Sequence, residues 1–306
     1  MARYVLKRLA WTVVVLWAIV TLTFAATFLS PIDPARSYAG LRASDEVIEQ
    51  VREDFGLNDS ILVQYFRYLG RIFQGDLGRS FATDEPVAEA IADRVPATAL
   101  LAFAAAVVAL VIGIPLGLAA ALKRRTIVDR GILVFSLLGV VVPTFVLGFL
   151  LLYFLAFKGN WFPLGGYGSF MHLVLPAFTL GVASAAWYAR MLRSATLNIL
   201  SEDYVRMARA KGMPERVVVG RHVMRNAISP IITMVALDVG VFLGGVLVIE
   251  QVFAWPGIGQ QAWRAITFND VPLVMGTVLF AAFAVTIFNL LADLTNAAID
   301  PRVKYA

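Results

Sequence analysis

Asp238 is the one acidic residue in the middle of a long apolar run of this 306-residue sequence, with Met234, Val235, Ala236 and Leu237 before it and Val239, Gly240, Val241, Phe242 and Leu243 after it. A lone carboxylate in hydrocarbon costs about 3 kcal/mol on insertion scales, so it must face a cavity or a partner. No Lys or Arg lies in the middle of any apolar stretch. The candidate partners are therefore water, a polar residue such as Asn289, another polypeptide, or a cationic group on a solute. Glu250, near the end of the same stretch, is a weaker candidate, with interfacial solvation as the simpler reading. Other site chemistry is missing. With no cysteine, disulfide frameworks, thiolate zinc sites and cysteine nucleophiles fall away together. His172 and His222 are isolated and lack metal-ligand spacing. No Gly-x-x-x-x-Gly-Lys-Ser/Thr loop occurs, so the chain lacks the cradle and lysine that hold ATP phosphates. Gly257-Ile258-Gly259-Gln260-Gln261-Ala262 has dinucleotide-fingerprint spacing but follows Trp255-Pro256 with no strand, and reads better as a re-entrant or scoop-like loop. No catalytic triad, carboxylate pair or histidine cluster falls within the apolar stretches, so we expect neither an enzyme nor a cofactor.

The elements that hold these residues follow from composition. The chain is 59% apolar and 15% charged, with mean hydropathy +0.77, which excludes a soluble enzyme. Six apolar stretches, 9–29, 97–122, 131–157, 172–192, 230–254 and 273–298, each reach the roughly 20 residues a helix needs to cross about 30 Å of hydrocarbon. Lipid cannot hydrogen-bond a backbone, so these segments must be helices. The expected fold is all-α: a polytopic membrane protein of six transmembrane helices. The regions before the first stretch, after the second, from Arg190 to Arg225 and after the sixth hold 17 of the 26 Lys and Arg, which puts both termini in the cytoplasm. The first stretch exceeds the 7 to 15 residues of a secretory-signal core and reads as an uncleaved helix. Gly113 with Gly117, around Pro115, and Gly240 with Gly244 have the spacing that lets helices pack closely. Pro143 and Pro176 each remove a backbone donor and can kink their helices.

Residues 30–96 form the long outer region, with 12 acidic and 7 basic residues. Ser44 can cap a helix with Val47, Ile48, Val51 and Phe55 on its apolar face and Gly56 at its end. Ile61, Leu62, Tyr65, Phe66, Leu69, Ile72 and Phe73 then recur at helical spacing, as in a helix lying at the membrane surface or over the bundle. Residues 193–229 are the most informative cytoplasmic segment. Ser201, Glu202 and Asp203 favour a helix start, Arg209 and Lys211 favour its end before Gly212, and Pro214 and Glu215 restart a helix. A helix over 202–211 is a rod of about 15 Å, with small Ala208 and Ala210 permitting close approach. Two readings stand at this point: a helix docked into a partner, or a solvated basic hairpin attracted to anionic lipid headgroups.

The run Glu202-Asp203-Tyr204-Val205-Arg206-Met207-Ala208-Arg209-Ala210-Lys211-Gly212, followed by Arg221-His222, Arg225-Asn226-Ala227 and Pro230, strongly resembles the signature loop of permease subunits of bacterial ABC importers. The resemblance is to the peptide/nickel branch, which includes dipeptide and oligopeptide permeases. Asp33-Pro34-Ala35, Gly75-Asp76-Leu77-Gly78-Arg79-Ser80, Ala189-Arg190-Met191-Leu192-Arg193-Ser194, Val252-Phe253-Ala254-Trp255-Pro256-Gly257-Ile258-Gly259 and Asp300-Pro301-Arg302 are similar to that branch in the same order. Arg206 stands where importer permeases more generally carry Glu, while Ala208 keeps their alanine. The resemblance implies a division into an N-terminal helix over 1–30, a periplasmic region over 31–96 and a transmembrane domain over 97–306 with a coupling loop at 193–229. It implies that Glu202, Asp203, Arg206, Ala208, Arg209, Ala210, Lys211 and Gly212 form a coupling helix seated on an ATP-binding subunit. It also implies a second homologous permease, two ATP-binding subunits, an extracytoplasmic substrate-binding protein and a bacterial inner-membrane location in contact with lipid. No nucleic-acid partner is expected. The solute would be a di- or oligopeptide or a related molecule such as a nickel chelate or glutathione, passing Asp238, Asn289 and Glu250. The competing class, a proton-coupled secondary transporter using Asp238, usually shows repeated halves and more intramembrane ionisable residues, and neither occurs here.

Overall fold

In a computed structural model the described residues are 2–29, 34–39, 43–54 and 56–299. Asp33, Phe55 and the Asp300-Pro301-Arg302 motif lie outside them. In chain order the helices are α1 (Ala2–Leu29), α2 (Pro34–Ala39), α3 (Asp45–Asp54), α4 (Ile61–Phe73), α5 (Val87–Ala92), α6 (Val95–Leu122), α7 (Ile127–Val141) and α8 (Thr144–Leu151). They continue with α9 (Phe170–Leu200), α10 (Asp203–Ala210), α11 (Glu215–Val217), α12 (Met224–Ala227), α13 (Ser229–Leu243), α14 (Leu247–Val252), α15 (Ile258–Thr267) and α16 (Val271–Ile299). Four unbroken helical segments are long and apolar enough to cross a membrane, and two bent helix pairs bring the number to six among the described residues. The all-α polytopic architecture follows.

Both bent pairs depart from the simple stretches read in the sequence. The third stretch splits into α7 and α8 plus a π-helical segment, Leu152–Lys158, with a bend of 101°. The cause sits at Pro143, which has no N–H to continue the α7 ladder and instead precedes α8. Pro176 lies inside the continuous α9. The fifth stretch does not run to residue 254 as one helix. α13 ends at Leu243, and the segment reaches crossing length only with Glu215–Ala227 before it, at 47°. Gly245 (φ +98°) makes the turn, and a Cβ there would lie 2.6 Å from the Gly259 nitrogen, so the chain needs glycine at this close approach. Beyond it α14 and α15 fold back to pack on each other, α14 also against α8 and α9, and α15 also against α16.

The bundle is built on the α6–α9 seam. A Cβ on Gly113 would come within 2.9 Å of Tyr188 Cβ, one on Gly117 within 2.7 Å of the Ala189 carbonyl, and one on Gly181 within 2.6 Å of Val108 Cβ. Small residues on both helices thus let the backbones meet. Gly240 does the same on the α13–α16 seam, where a Cβ would lie 2.8 Å from Phe288 Cβ. Leu101, Leu180, Ile249, Phe253 and Trp255 fill one core cluster, which anchors the α14–α15 hairpin to α6 and α9. α3 begins after Ser44, whose Oγ accepts from Val47 N–H, and buries Ile48 and Val51 against Ala35. α4 buries none of its residues but lies against α1, where Tyr65 and Thr21 share a hydrogen bond of 2.7 Å and both Tyr65 and Tyr68 pack on Phe24.

Candidate functional site

The first candidate surface is the hairpin between α9 and α13. α10 spans Asp203–Ala210, about 12 Å of helix rather than the 15 Å expected, because Ser201 closes α9 and Glu202 takes the N-cap position. Val205 and Ala208 point inward and pack on Val218 and Val223. Ala208, expected to open the surface to a partner, is therefore 6% exposed and serves the hairpin's own core. Glu202, Asp203, Arg206, Arg209, Ala210, Lys211 and Gly212 are exposed, together with Tyr204 and Met207. Gly212 turns the chain at φ +75°, with no atom within 4 Å of where a Cβ would stand. Arg209 closes the turn on Glu215 through two hydrogen bonds of 3.1 and 2.6 Å, which hold the Glu215 carboxyl below its ordinary range. Asn226 Nδ2 donates to Tyr204 Oη at 2.8 Å, tying α12 to α10.

A partly buried ion pair joins α9 to α7; its arginine belongs to the Ala189-to-Ser194 motif, whereas its aspartate lies in none of the motifs. Arg193, in the last turns of α9, donates to both oxygens of Asp129 on α7, Nε to Oδ1 at 2.6 Å and Nη2 to Oδ2 at 2.9 Å. Asp129 also accepts from Arg125 N–H at 2.9 Å. Its one sequence signal is the Thr126-Ile127-Val128-Asp129 start of α7, where Thr126 Oγ1 caps Asp129 N–H.

The second candidate lies mid-span. Tyr188 of α9, fully buried, donates from Oη to Asp238 Oδ2 of α13 at 2.8 Å. Asp238 is half-buried, and Asn289 on α16 is exposed without a hydrogen bond to Asp238 among the described residues. Glu250 is not with them. It belongs to α14, beyond the break at Gly245, and is fully buried. Its carboxylate accepts from Thr98 Oγ1 at 3.1 Å and Gln260 N–H at 2.9 Å, while a Cβ on Gly257 would lie 2.3 Å from Oε1. Ile258 N–H donates to Thr98 Oγ1 and Trp255 Nε1 to the Ala97 carbonyl, each at 2.9 Å, so the glycine motif wraps a carboxylate of its own chain. Asp270, which leads into α16, similarly accepts from Ser80 Oγ and from Phe81, Ala82 and Leu273 N–H, pinning the Gly75-to-Ser80 motif to the bundle.

Comparisons with known proteins agree in one direction. Residues 113–305 match the family described as binding-protein-dependent transport system inner membrane component, and residues 1–102 match the N-terminal component of such systems. The chain is 39% identical over 305 residues to the glutathione transport system permease protein GsiC of Salmonella paratyphi A, covering 100% of both chains. It is 38% identical to GsiC of Escherichia coli K12, again over 100% of both. Two crystal forms of the inward-facing MetNI methionine ABC transporter share the fold, with TM-scores of 0.53 and 0.55 at 19% and 20% identity, over 69% of this chain and 96% of theirs.

Proposed function

This chain belongs to the family of binding-protein-dependent transport system inner membrane components and is an ABC importer permease subunit, a transport component rather than an enzyme; from that premise we propose that the solute it carries is a peptide or a glutathione-like molecule. The observation that carries the solute class is the 38 to 39% identity over the whole length with glutathione permeases.

On this reading α10 is the coupling helix. Its inward face is consumed by the hairpin core, and its outward face offers Tyr204, Arg206, Met207, Ala210 and Lys211 to a groove of an ATP-binding subunit. Arg209, Glu215 and the Tyr204–Asn226 contact make the hairpin stiff, and the Asp129–Arg193 pair joins its root to α7 and α9. Displacement of α10 is then passed to the crossings as rigid-body movement between outward- and inward-open states. The Lys and Arg distribution supports an orientation with both termini and this hairpin in the cytoplasm and residues 31–96 outside, where a binding protein delivers the solute. A second permease closes the pathway against this one, two ATP-binding subunits drive it, and Asp238 lines it. Asn289 joins Asp238 in that role, whereas Glu250 holds the α14–α15 hairpin in place.

Affinity purification in mild detergent followed by mass spectrometry tests the assembly: two ATP-binding chains and a second permease are expected, and the same complex in vesicles with its binding protein should accumulate glutathione or short peptides only with ATP inside. Uphill uptake by this subunit alone on a proton gradient would overturn it.

A further inference from the structure

The Asp238–Tyr188 pair is chemically incomplete. Tyr188 is fixed on α9 between the α6 and α13 contacts, and its single O–H fills only one of the roughly four acceptor positions of a carboxylate. Among the described residues Asp238 has no cationic partner. The carboxylate also borders an open face, because its neighbours on α13, Leu237 and Val241, are 39% and 55% exposed. Intramembrane carboxylates face a bundle interior or a water-filled cavity, not lipid, and on the function proposed above this open stripe faces the pathway.

The geometry offers a cation two kinds of acceptor. Tyr188 Oη donates its hydrogen bond to Oδ2 and keeps lone pairs of its own, so Oη and Oδ1 are two separate acceptors. An ammonium group, with three donors on a compact centre, can place one on Oδ1 and another on Tyr188 Oη. We propose that Asp238 and Tyr188 form a mid-span receptor for the primary ammonium group of the solute; the proposal rests on the peptide-like solute put forward above. A single ammonium contact attracts the solute to mid-span yet leaves it free to move on, as passage through any pathway requires.

The cysteine-free sequence makes this testable. Asp238→Cys places a lone thiol in this subunit, and cysteines in the other subunits are replaced. The assembled transporter with its binding protein is reconstituted in vesicles, and uptake is followed with S-methylglutathione and trialanine, which carry an ammonium and no thiol. We expect uptake to fall about tenfold or more in Asp238→Cys, the scale of losing one close charge contact. Sulfonatoethyl methanethiosulfonate, which restores a negative charge, should recover most of it, and the trimethylammonium reagent should not. Asp238→Glu should keep most of the activity. Wild-type uptake by Asp238→Cys, or equal recovery with both reagents, overturns the ammonium receptor. Failure of either water-soluble reagent to label the thiol removes Asp238 from the pathway while leaving the importer function standing. A wild-type complex that carries neither solute overturns the peptide-like class itself. If the cysteine variant does not assemble, Asp238→Asn keeps shape and the Tyr188 contact, and undiminished uptake by it overturns the proposal.

Discussion

Two carboxylates in the same apolar stretch have opposite fates. Asp238 stands out in one dimension because a charge in an apolar run has few explanations. Glu250 does not, because its donors come from Thr98, 152 positions away, and from the backbone of Gln260 across the turn between α14 and α15. Nothing local in the sequence reports those contacts, so interfacial solvation looked the simpler reading, whereas the side chain is fully buried. The same geometry explains the glycines of 257–259: backbone N–H groups must approach the carboxylate where any Cβ would collide. Thr98, Gln260 and Glu250 satisfy one another, so replacing one strands the rest. Glu250→Gln substitutes a donor for one acceptor and should cost about 1 to 3 kcal/mol, while Glu250→Leu strands both donors and should cost more. Thermal unfolding of the purified complex is expected to rank wild type above Gln and Gln above Leu; a Leu variant as stable as wild type would refute the role given to Glu250.

Elements were legible where caps and periodicity mark their ends. The hairpin of 193–229 reads directly as α10, a Gly212 turn and a restart at Pro214, with boundaries off by one residue at each end of α10. Breaks within long apolar runs were not. Pro143 signals a kink but not its 101° size, and the stop of α13 depends on a contact between Gly245 and Gly259 that pattern alone does not reveal. The Asp129–Arg193 pair was equally hidden, since its members lie 64 positions apart. For α10 the coupling role makes a test that separates bulk from strain. Any side chain at Gly212 meets the same φ of +75°, costing about 1 to 2 kcal/mol, yet the space around it is open. Gly212→Ala and Gly212→Trp should therefore assemble alike. If this surface seats in an ATP-binding subunit, the bulk of Trp should cut solute uptake per ATP hydrolysed about tenfold while Ala cuts it less than about twofold, each read as a loss of contact free energy. Full coupling in a normally assembled Gly212→Trp complex would count against docking.

Across the whole molecule, apolar surface is unevenly covered. Half of the most apolar window of α9 is buried inside the chain, against 6% of that of α1, so α9 is the mast of the bundle and α1 an outlying strut. α1 is held by α16 and α4, with Arg8 on Asp293 at 2.6 Å and Tyr65 on Thr21, contacts on a half-exposed surface. The MetNI structures match 69% of this chain and almost all of theirs, so the shared fold is a subset of this bundle and the remainder is additional. Stability should then concentrate on the α6–α9 seam. Gly181 is the sharpest probe there, because its missing Cβ would stand 2.6 Å from Val108 Cβ and 2.7 Å from the Ala105 carbonyl, and backbone cannot yield as a side-chain tip can. Gly181→Leu forces the two helices apart and should cost at least about 3 kcal/mol, the upper range for overpacking. Trp17→Ala on the exposed side of α1 removes more atoms, but Trp17 is 54% exposed within the chain and the change should cost this fold under about 1 kcal/mol. Yield and unfolding temperature of the isolated subunit in detergent measure both: collapse of the Gly181 variant with a near-native Trp17 variant is the expected pattern, and the reverse ranking would place the load-carrying contacts on α1 instead.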